Sequence, residues 1–572
     1  MGVFSVHDVE GNNWFLGIRD MASKSADDTL DVFKEILEDI SQLSKSDDPN
    51  QIPRGKKLLI SIEKTMSDRA ATEVKFNELL EAYINETLPL VKEADGVLDG
   101  GEMAAVVRLD QFFCGLHSLV HATESAVASH KEWESSHYQE AGAPLFHAQC
   151  ARPGESSGSR FVQSECKALA FGGCEKTGCA SKFMTYARPI LQAEYGCSRN
   201  PFQKFLGARF NVLGRNAVYS YCLRFVVRNF LLLNATNMLL KSVLFDLEQD
   251  GTMAQVRVLG ILSKLIFVPL WNVLEDKSVT MADMNAIYAN LIDFFEKAAQ
   301  DPSKILEGNS PFEERYIDRD IWLEQLLAYD EATEALTAAI MGLTMASLAV
   351  FAKKQFRDHL PGGIHENLTN DQCKGVPKTN VRPESAFAFW HKDRIRCPSY
   401  SNITIEGRLL WTMNKTYEWL LSLNPEKREE VIEDARKQTP AIRAQFRERE
   451  KKMMELRAAR LQERVQEAKE KEEREVRQKF ELVQKVEALG GMWKSADEVD
   501  AGLMKVKESV VRGEGKGKQL EALKCQITFR KKILQQPVID AKDWTQSADK
   551  KALDIQSLSD KLKILINQAN LH

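Results

Sequence analysis

The sequence lacks an excess of charge of either sign, a regular cysteine framework and an export signal. Its net charge is −5 with a pI near 6.2, so any contact with nucleic acid must come from local basic patches. Ten cysteines are scattered among many lysines and glutamates, which favours a reducing compartment over a disulfide scaffold. A secretory signal begins with basic residues, and Met1–Phe4 has none. These absences predict a nuclear or cytoplasmic protein that is not secreted.

Long apolar runs are also scarce. One segment, Ala335–Ala352, is free of charge over a length close to that of a membrane span. It is rich in alanine, threonine and methionine and has no flanking aromatic belt, so a buried helix is favoured over a span. We therefore expect no membrane association.

The N-terminal part of the chain mixes strand and helix patterns. The runs Gly2–Val6 and Trp14–Ile18, separated by a polar turn, predict a β-hairpin. Ser25 predicts the cap of a helix that extends to about Leu43. The compact apolar run Lys57–Ile62 predicts a strand, and a further helix is expected after Asp68.

Helical patterns dominate residues 142–375. The clearest predicted helices are Val258–Leu274, Met284–Ala298 and Ile321–Phe356. A compact apolar segment returns at residues 376–424. The order of these patterns predicts an α+β or α/β core, formed by residues 1–141 and 376–424, which a large all-α insertion interrupts.

A long charged helix is predicted for residues 425–490. Its sparse apolar residues are spaced mostly by three, four or seven positions, with slips, which favours a coiled-coil-like rod over a strict heptad zipper. Two arrangements remain open: a homodimer through this rod, or a rod that folds back on a tail helix near Leu520–Ile533. Residues 491–572 form the tail, with the basic, glycine-rich linker Arg512–Lys518.

Two carboxylates occupy positions that suit either function or helix capping. Asp68 follows the predicted strand, at the edge where α/β sheets carry functional groups, but it also suits the N-terminus of the next helix. Glu384 lies in a predicted first helical turn, where Asn380 would cap the helix and Pro383 suits the backbone. A functional role for Glu384 requires a metal ion nearby.

A third candidate is the C-x-x-H spacing of Cys114 and His117, which resembles half of a zinc site. A second pair of ligands is needed, and the spacing of Cys166, Cys174 and Cys179 is not that of a typical ligand knuckle. Packed, hydrogen-bonded side chains in a helix are therefore the favoured interpretation.

The motif Asn380–Val–Arg–Pro–Glu384–x–x–Phe387 resembles the helix start that carries the third catalytic acid in hAT-like DDE transposases and related animal proteins. Other segments resemble the same proteins in the same order, through the rod and nearly to the end of the chain. They are Thr65–Asp68, Phe112–His117, Gly207–Leu213, Val258–Gly260, Val268–Trp271, Asp358–Gly363, Met413–Thr416 and Ala488–Trp493. The resemblance implies an RNase H-like core, with Asp68 as the second acid, Glu384 as the third, and Cys114 and His117 as the family's C-x-x-H motif.

The family's reaction uses three carboxylates to hold two Mg²⁺ ions, one activating the attacking hydroxyl and one stabilising the leaving oxygen. The first acid belongs to a first strand that this chain lacks, because only two strands precede the helix at Ser25. Asp8 and Asp20 follow strands that correspond to later positions of the fold. Ser385 stands where the family usually has arginine after the glutamate. We also expect the family's N-terminal zinc-binding DNA-recognition domain to be absent.

The sequence thus predicts a transposase-derived protein that is catalytically inactive and keeps nucleic-acid binding or protein association. Two alternatives are an active or truncated DNA transposase, and a coiled-coil scaffold without a DNA role. Asp68 and Glu384 would be vestigial metal ligands, with Mg²⁺ as cofactor only in the active alternative, and DNA or a second copy as partner. Whether or not the protein is active, the carboxylates of Asp68 and Glu384 are expected within about 8 Å of each other, the reach of a shared two-metal site.

Overall fold

The computed structural model describes residues 1–43, 52–94, 106–138, 155–174, 176–205, 211–509, 515–537, 541–548 and 551–569. Most of these residues are helical, and the strands form three separate two-stranded sheets. The chain divides into two compact units, Met1–Arg447 and Glu448–His572. The fold is therefore mostly helical, with few strands, which is compatible with the α+β or α/β class that the sequence predicts.

The first unit begins with the predicted hairpin. Strands β1 (Gly2–His7) and β2 (Asn13–Arg19) are antiparallel, with Gly2 opposite Arg19 and an irregularity between Phe4 and Ser5. The Asp8 carboxylate closes the turn, since it accepts the backbone N–H groups of Glu10 at 3.0 Å and Asn12 at 2.8 Å. The Asp8 side chain thus stabilises the turn between β1 and β2.

Helices and a second strand pair follow the hairpin. They are α1 (Ala26–Leu43), α2 (Arg54–Ile60), β3 (Lys64–Ser67), α3 (Ala71–Ala94), β4 (Asp110–Phe113) and α4 (Gly115–His137). Strands β3 and β4 are parallel, with Lys64 opposite Asp110. Phe4 of β1 packs against Phe33 of α1 and Phe76 of α3, with ring centroids 5.3 and 6.3 Å away. The hairpin therefore shares a core with α1 and α3, although no continuous sheet joins the two strand pairs among the described residues.

The strand predicted for Lys57–Ile62 is wrong. Most of this run belongs to helix α2, which follows Pro53 and packs against α1, and the strand begins only at Lys64. Gly55 allows the close approach, because a Cβ atom there would lie 1.9 Å from the carbonyl oxygen of Leu37. An apolar run of this length fits a strand and a buried helical turn equally well, so contact with α1 decides its structure.

The helical block contains α5 (Ser157–Leu169), α6 (Ala180–Tyr195), α7 (Val212–Cys222), α8 (Arg224–Asn234), α9 (Met238–Leu247), α10 (Asp250–Leu262), α11 (Val268–Glu275), α12 (Met284–Gln300), α13 (Ser303–Leu306), α14 (Ile321–Leu327) and α15 (Glu334–Gln355). A π-helical turn, Ser263–Phe267, joins α10 to α11. Nearly every residue of α10 is buried, so this helix forms the centre of the block.

The single helix predicted for Ile321–Phe356 is broken into α14 and α15. The cause is the fully buried guanidinium of Arg257 on α10, which donates to the carbonyl oxygens of Leu326 and Ala328, both at 2.8 Å. The same guanidinium forms a 2.7 Å ion pair with Glu334 at the start of α15. The carbonyl groups at the end of α14 thus accept hydrogen bonds from Arg257 and not from the N–H groups of a further helical turn.

Glu165 on α5 is a buried carboxyl group with a protonation-dependent contribution to stability. It accepts a hydrogen bond from the Ser220 hydroxyl, and burial raises its pKa from 4.5 to about 8. Between these values the folded protein holds a proton that the unfolded chain has lost, so stability falls as the pH rises.

We expect Glu165→Gln to remove this dependence, which amounts to about 1.4 kcal/mol per pH unit. Urea unfolding of both proteins from about pH 5 to pH 8 gives the difference in slope, with other titrating groups cancelling between the two. Parallel stability curves would show that Glu165 is ionised in the folded state.

Before the rod, the described part of the first unit ends with three helices: α16 (Val381–Arg396), α17 (Asn402–Met413) and α18 (Thr416–Ser422). Helix α17 and the residue after it close the outer edge of β2. The Asn414 side chain accepts the N–H of Phe15 at 2.7 Å and donates to its carbonyl at 2.9 Å. Glu406 accepts from the N–H of Ile18 at 3.3 Å and from Arg19 at 3.2 Å.

The rod is a continuous helix, α19 (Pro425–Ala488), as the sequence predicts, and its last 41 residues belong to the second unit. That unit also contains α20 (Ala496–Glu508), α21 (Gly515–Lys532) and α22 (Ile555–Ala569), with the short strand pair Ser547–Ala548 (β5) and Lys551–Ala552 (β6). Trp493 lies in their common core. The buried Gln526 amide binds the backbone on either side of Met492, accepting from the N–H of Trp493 at 3.2 Å and donating to the carbonyl of Gly491 at 2.9 Å.

Two helical stretches of the described residues are long and apolar enough to cross a membrane, Asp250–Glu275 and Glu334–Gln355. Within the apolar window of each, 72% and 44% of the residues are buried inside the protein. The first stretch is the centre of the helical block, as a core helix would be.

Candidate functional site

The carboxyl ends of β3 and β4 bring three of the sequence-predicted segments together. The Cys114 N–H, just after β4, donates to the carbonyl of Ser67 at 2.8 Å, and Asp68 follows directly. The N–H of Asn380, before α16, donates to the Cys114 sulfur at 3.3 Å. The segments that carry Asp68, Cys114 and Glu384 therefore meet around one buried thiol.

Asp68 is half-buried and performs a structural task. One carboxylate oxygen accepts the N–H of Ala70 at 2.9 Å, which orders the entry into α3. Burial raises the pKa of Glu73, and the negative charge of Asp68 raises it further. Asp68 thus behaves as a capping carboxylate with a second acid nearby on the same helix.

Cys114 is 2% exposed and precedes α4, whose first turn contains the half-buried His117. Burial raises the pKa of the Cys114 thiol, and the charge of Glu384 acts in the same direction. The N–H groups of Asn380, His117 and Leu116 lower it by a smaller amount. In this environment the sulfur is therefore a protonated thiol at neutral pH.

Glu384 occupies the first turn of α16, half-buried, with its N–H donating to the carbonyl of Asn380 at 3.2 Å. The predicted cap by Asn380 is wrong. Its side chain makes no capping hydrogen bond, and its buried Oδ1 has no hydrogen-bond partner among the described residues. Instead, the Asn380 backbone N–H contacts the Cys114 sulfur at the start of α16.

A shell of basic and aromatic side chains surrounds this meeting point. Arg69, next to Asp68, forms an ion pair with Asp358 and lies 4.6 Å from the ring centroid of Phe113. His365 stacks on Phe112 with centroids 4.5 Å apart, and its Nε2 lies 3.0 Å from the Gln111 carbonyl. The segment Asp358–Gly363, singled out in the sequence, therefore borders the site.

His359 in this shell is uncharged at neutral pH. Burial, helped by the charges of His365 and Arg69 and opposed by Asp358, lowers its pKa to about 4. Its Nδ1 lies 2.7 Å from the amide oxygen of Asn285. The ring is thus a packed, neutral hydrogen-bonding group.

Sequence reasoning missed several residues that build the site. Lys378 is one, since its carbonyl accepts the N–H of Gly115 at 3.1 Å while its buried ammonium group donates to the Asp276 carbonyl at 2.5 Å. Arg69 and His365 are others. The signal for Arg69 was its position directly after Asp68, whereas His365 contacts a strand more than 250 positions earlier, which no local pattern indicates.

The chemistry that this site can perform depends on which side chains it offers to a metal ion. No group of three or more histidine, cysteine, aspartate or glutamate side chains suited to a metal ion occurs in the part of the chain that the structure describes. Among these residues Cys114 and His117 gain no further zinc ligands, and no acid, Glu73 included, joins Asp68 and Glu384 in such a group. The approach of those two carboxylates to within about 8 Å remains a prediction.

The segment Gly207–Leu213 lies largely outside the described residues. Comparisons of the chain with protein-family models, with curated proteins and with solved structures found no match.

Proposed function

We propose that the chain is a transposase-derived protein with an RNase H-like core, interrupted by the helical block, that does not cut DNA and binds single-stranded nucleic acid. The motif order supports this ancestry, and the meeting of Asp68, Cys114 and Glu384 segments is consistent with it. With two carboxylates, a pair of Mg²⁺ ions would be incompletely held.

The binding part of the proposal rests on one observation, an aromatic and basic surface on α16–α18. Trp411, Tyr417 and Trp419 are 46%, 59% and 50% exposed, and the rings of Trp411 and Tyr417 lie 6.5 Å apart. Exposed rings of this kind stack on unpaired bases.

Positive charge accompanies these rings, although the whole chain is acidic. Between Val381 and Ser422, the range of α16–α18, the sequence has six Lys and Arg residues against four Asp and Glu residues, a local excess of two. One of these acids, Glu406, is buried against Arg19. Arg408 pairs with another, Asp393, at 3.1 Å and so ties α17 to α16. Local basic patches beside aromatic rings are the signature of single-strand binding.

The direct test is titration of the full-length protein with a fluorescein-labelled thymidylate oligonucleotide, followed by anisotropy. We expect Trp411→Ala to weaken binding by about 1–3 kcal/mol, or roughly 5- to 150-fold. Tyr329→Ala removes a 77% exposed ring from outside this surface and should leave the affinity unchanged.

Two results would contradict the proposal. Equal loss of affinity in Trp411→Ala and Tyr329→Ala would mean that this surface does not carry binding. Metal-dependent cleavage of the oligonucleotide that disappears in Glu384→Gln would overturn the non-catalytic part. Preference for an RNA oligonucleotide of the same sequence would assign the surface to RNA.

A second candidate, the scaffold, is favoured by an exposed apolar stripe on the C-terminal part of α19. Its members are spaced by seven, four, eleven and four positions and therefore share one helix face. They are Met454, Leu461, Val465, Val476 and Phe480, with exposures of 68%, 64%, 48%, 61% and 62%. The fold-back alternative does not cover this stripe, because α19 meets α21 near its end, where Lys485 lies 4.0 Å from Glu521.

If the stripe binds a second copy, the full-length protein should have the mass of a dimer in light scattering. The double variant Val465→Glu and Val476→Glu should then be a monomer, because the stripe would carry two buried like charges. Glu467→Gln changes the opposite face of the helix and should leave the mass unchanged. A wild-type monomer would rule out self-association.

A further inference from the structure

Arg530 on α21 is a buried arginine whose charge has no carboxylate partner among the described residues. It is 3% exposed, donates to the carbonyl of Trp493 and lies 3.1 Å from the Gln536 amide oxygen. Its Nε is buried and has no hydrogen-bond partner among the described residues. Burial lowers the pKa of Arg530, with no neighbouring charge acting against it.

Other buried arginines of the protein have carboxylate partners. Arg160 pairs with Asp246 and Arg257 with Glu334, each at 2.7 Å. No described carboxylate lies within ion-pair distance of Arg530. A buried cation without a counter-charge is costly to the folded state, so its retention needs a compensating partner.

A cavity of about 390 Å³ adjoins this guanidinium. Its lining combines two cations with apolar side chains, and none of the described lining residues is an acid. The residues are Met492, Lys494, Arg530, Leu534, Gln536, Pro537, Ile566 and Ala569. The volume falls in the range of small-molecule sites, and polar groups at one end of an apolar cavity fix a ligand's orientation.

We propose that this cavity binds a carboxylate attached to a short branched aliphatic group. The carboxylate would accept from the Arg530 guanidinium, whose planar fork matches its geometry, and the aliphatic group would contact Leu534, Pro537 and Ile566. Lys494 is exposed and adds positive charge at the cavity. A free aliphatic acid and the C-terminal carboxylate of a peptide ending in leucine share this chemistry.

Calorimetric titration of the full-length protein separates these sources. The probes are 4-methylpentanoate and acetyl-Gly-Gly-Leu with a free C-terminus, each compared with its neutral amide. We expect one or both acids to bind stoichiometrically and the amides to bind at least tenfold more weakly. Binding of the free acid alone identifies a small-molecule site, and tighter binding of the peptide identifies a C-terminus. Equal binding of acids and amides, or no binding of either acid, would overturn the proposal.

Substitutions in the cavity test where the ligand binds without relying on Arg530 alone. Ala569→Trp fills the cavity while leaving the guanidinium in place and should abolish binding, as should Arg530→Met. Lys494→Met should weaken binding severalfold, whereas Lys505→Met, an exposed lysine on α20 outside the cavity, should not. Far-UV circular dichroism confirms folding of each variant. Undiminished binding in folded Ala569→Trp would place the ligand elsewhere and overturn the assignment.

Discussion

Replacing Arg257 with methionine is expected to destabilise the first unit by about 3–5 kcal/mol. The guanidinium is fully buried. Its loss leaves Glu334 without its charged partner and the carbonyls of Leu326 and Ala328 without this donor. Urea unfolding followed by circular dichroism measures the difference. The end of α14 should be the first region to lose amide protection in hydrogen exchange.

A matched control is Arg228→Met, which removes an ion pair with Glu248 whose two side chains are each 43% exposed. Exposed pairs contribute about 0–1 kcal/mol, so this variant should unfold near the wild type. Adding Glu334→Leu to Arg257→Met should recover part of the lost stability, because it removes the stranded carboxylate. Equal effects of the two arginine variants would mean that burial of Arg257 has no energetic role.

The second large effect is expected at Asn414. Replacing it with alanine leaves the N–H and the carbonyl of Phe15, a residue only 2% exposed, without partners. Each buried unsatisfied group costs about 1–3 kcal/mol, so we expect a loss of about 2–4 kcal/mol in urea unfolding.

Asn414→Asp is the informative comparison. A carboxylate still accepts from the Phe15 N–H but cannot donate to its carbonyl, so a loss intermediate between wild type and alanine is expected. If aspartate and alanine destabilise equally, the accepting half of the contact contributes nothing. If neither changes stability, water replaces the side chain and the edge of β2 is solvated.

The spacing of apolar residues predicted the long helices and the hairpin, whose two strands are close in sequence. The hairpin, α1, α12 and the 64-residue α19 follow from spacing and capping residues alone. The strand predicted at Lys57–Ile62 failed because contact with α1, not local preference, selects the helix there. The break between α14 and α15 has no glycine or proline to announce it, since Arg257 creates it from another helix.

Two tail helices, α20 and α22, were missed although one carried a usable signal. Leu558, Leu562 and Leu565 recur at helical spacing and are fully buried in the second unit. At the candidate site, local pattern located Asp68, Cys114 and Glu384, and the motif order implied that their segments meet. The contacts that hold them, from Asn380 to Cys114 and from Arg69 to Asp358, join residues more than 250 positions apart and depend on the folded chain.

The side-chain closure of β2 has a consequence for how this protein behaves while folding. An open strand edge recruits strands from other molecules, and the usual protections are charge, proline or a bulge. Here Asn414 occupies the place of a neighbouring strand by offering one donor and one acceptor to Phe15. The outer edge of the hairpin is therefore protected only once α17 has docked, so slow docking would prolong the interval in which newly made chains can aggregate through β2.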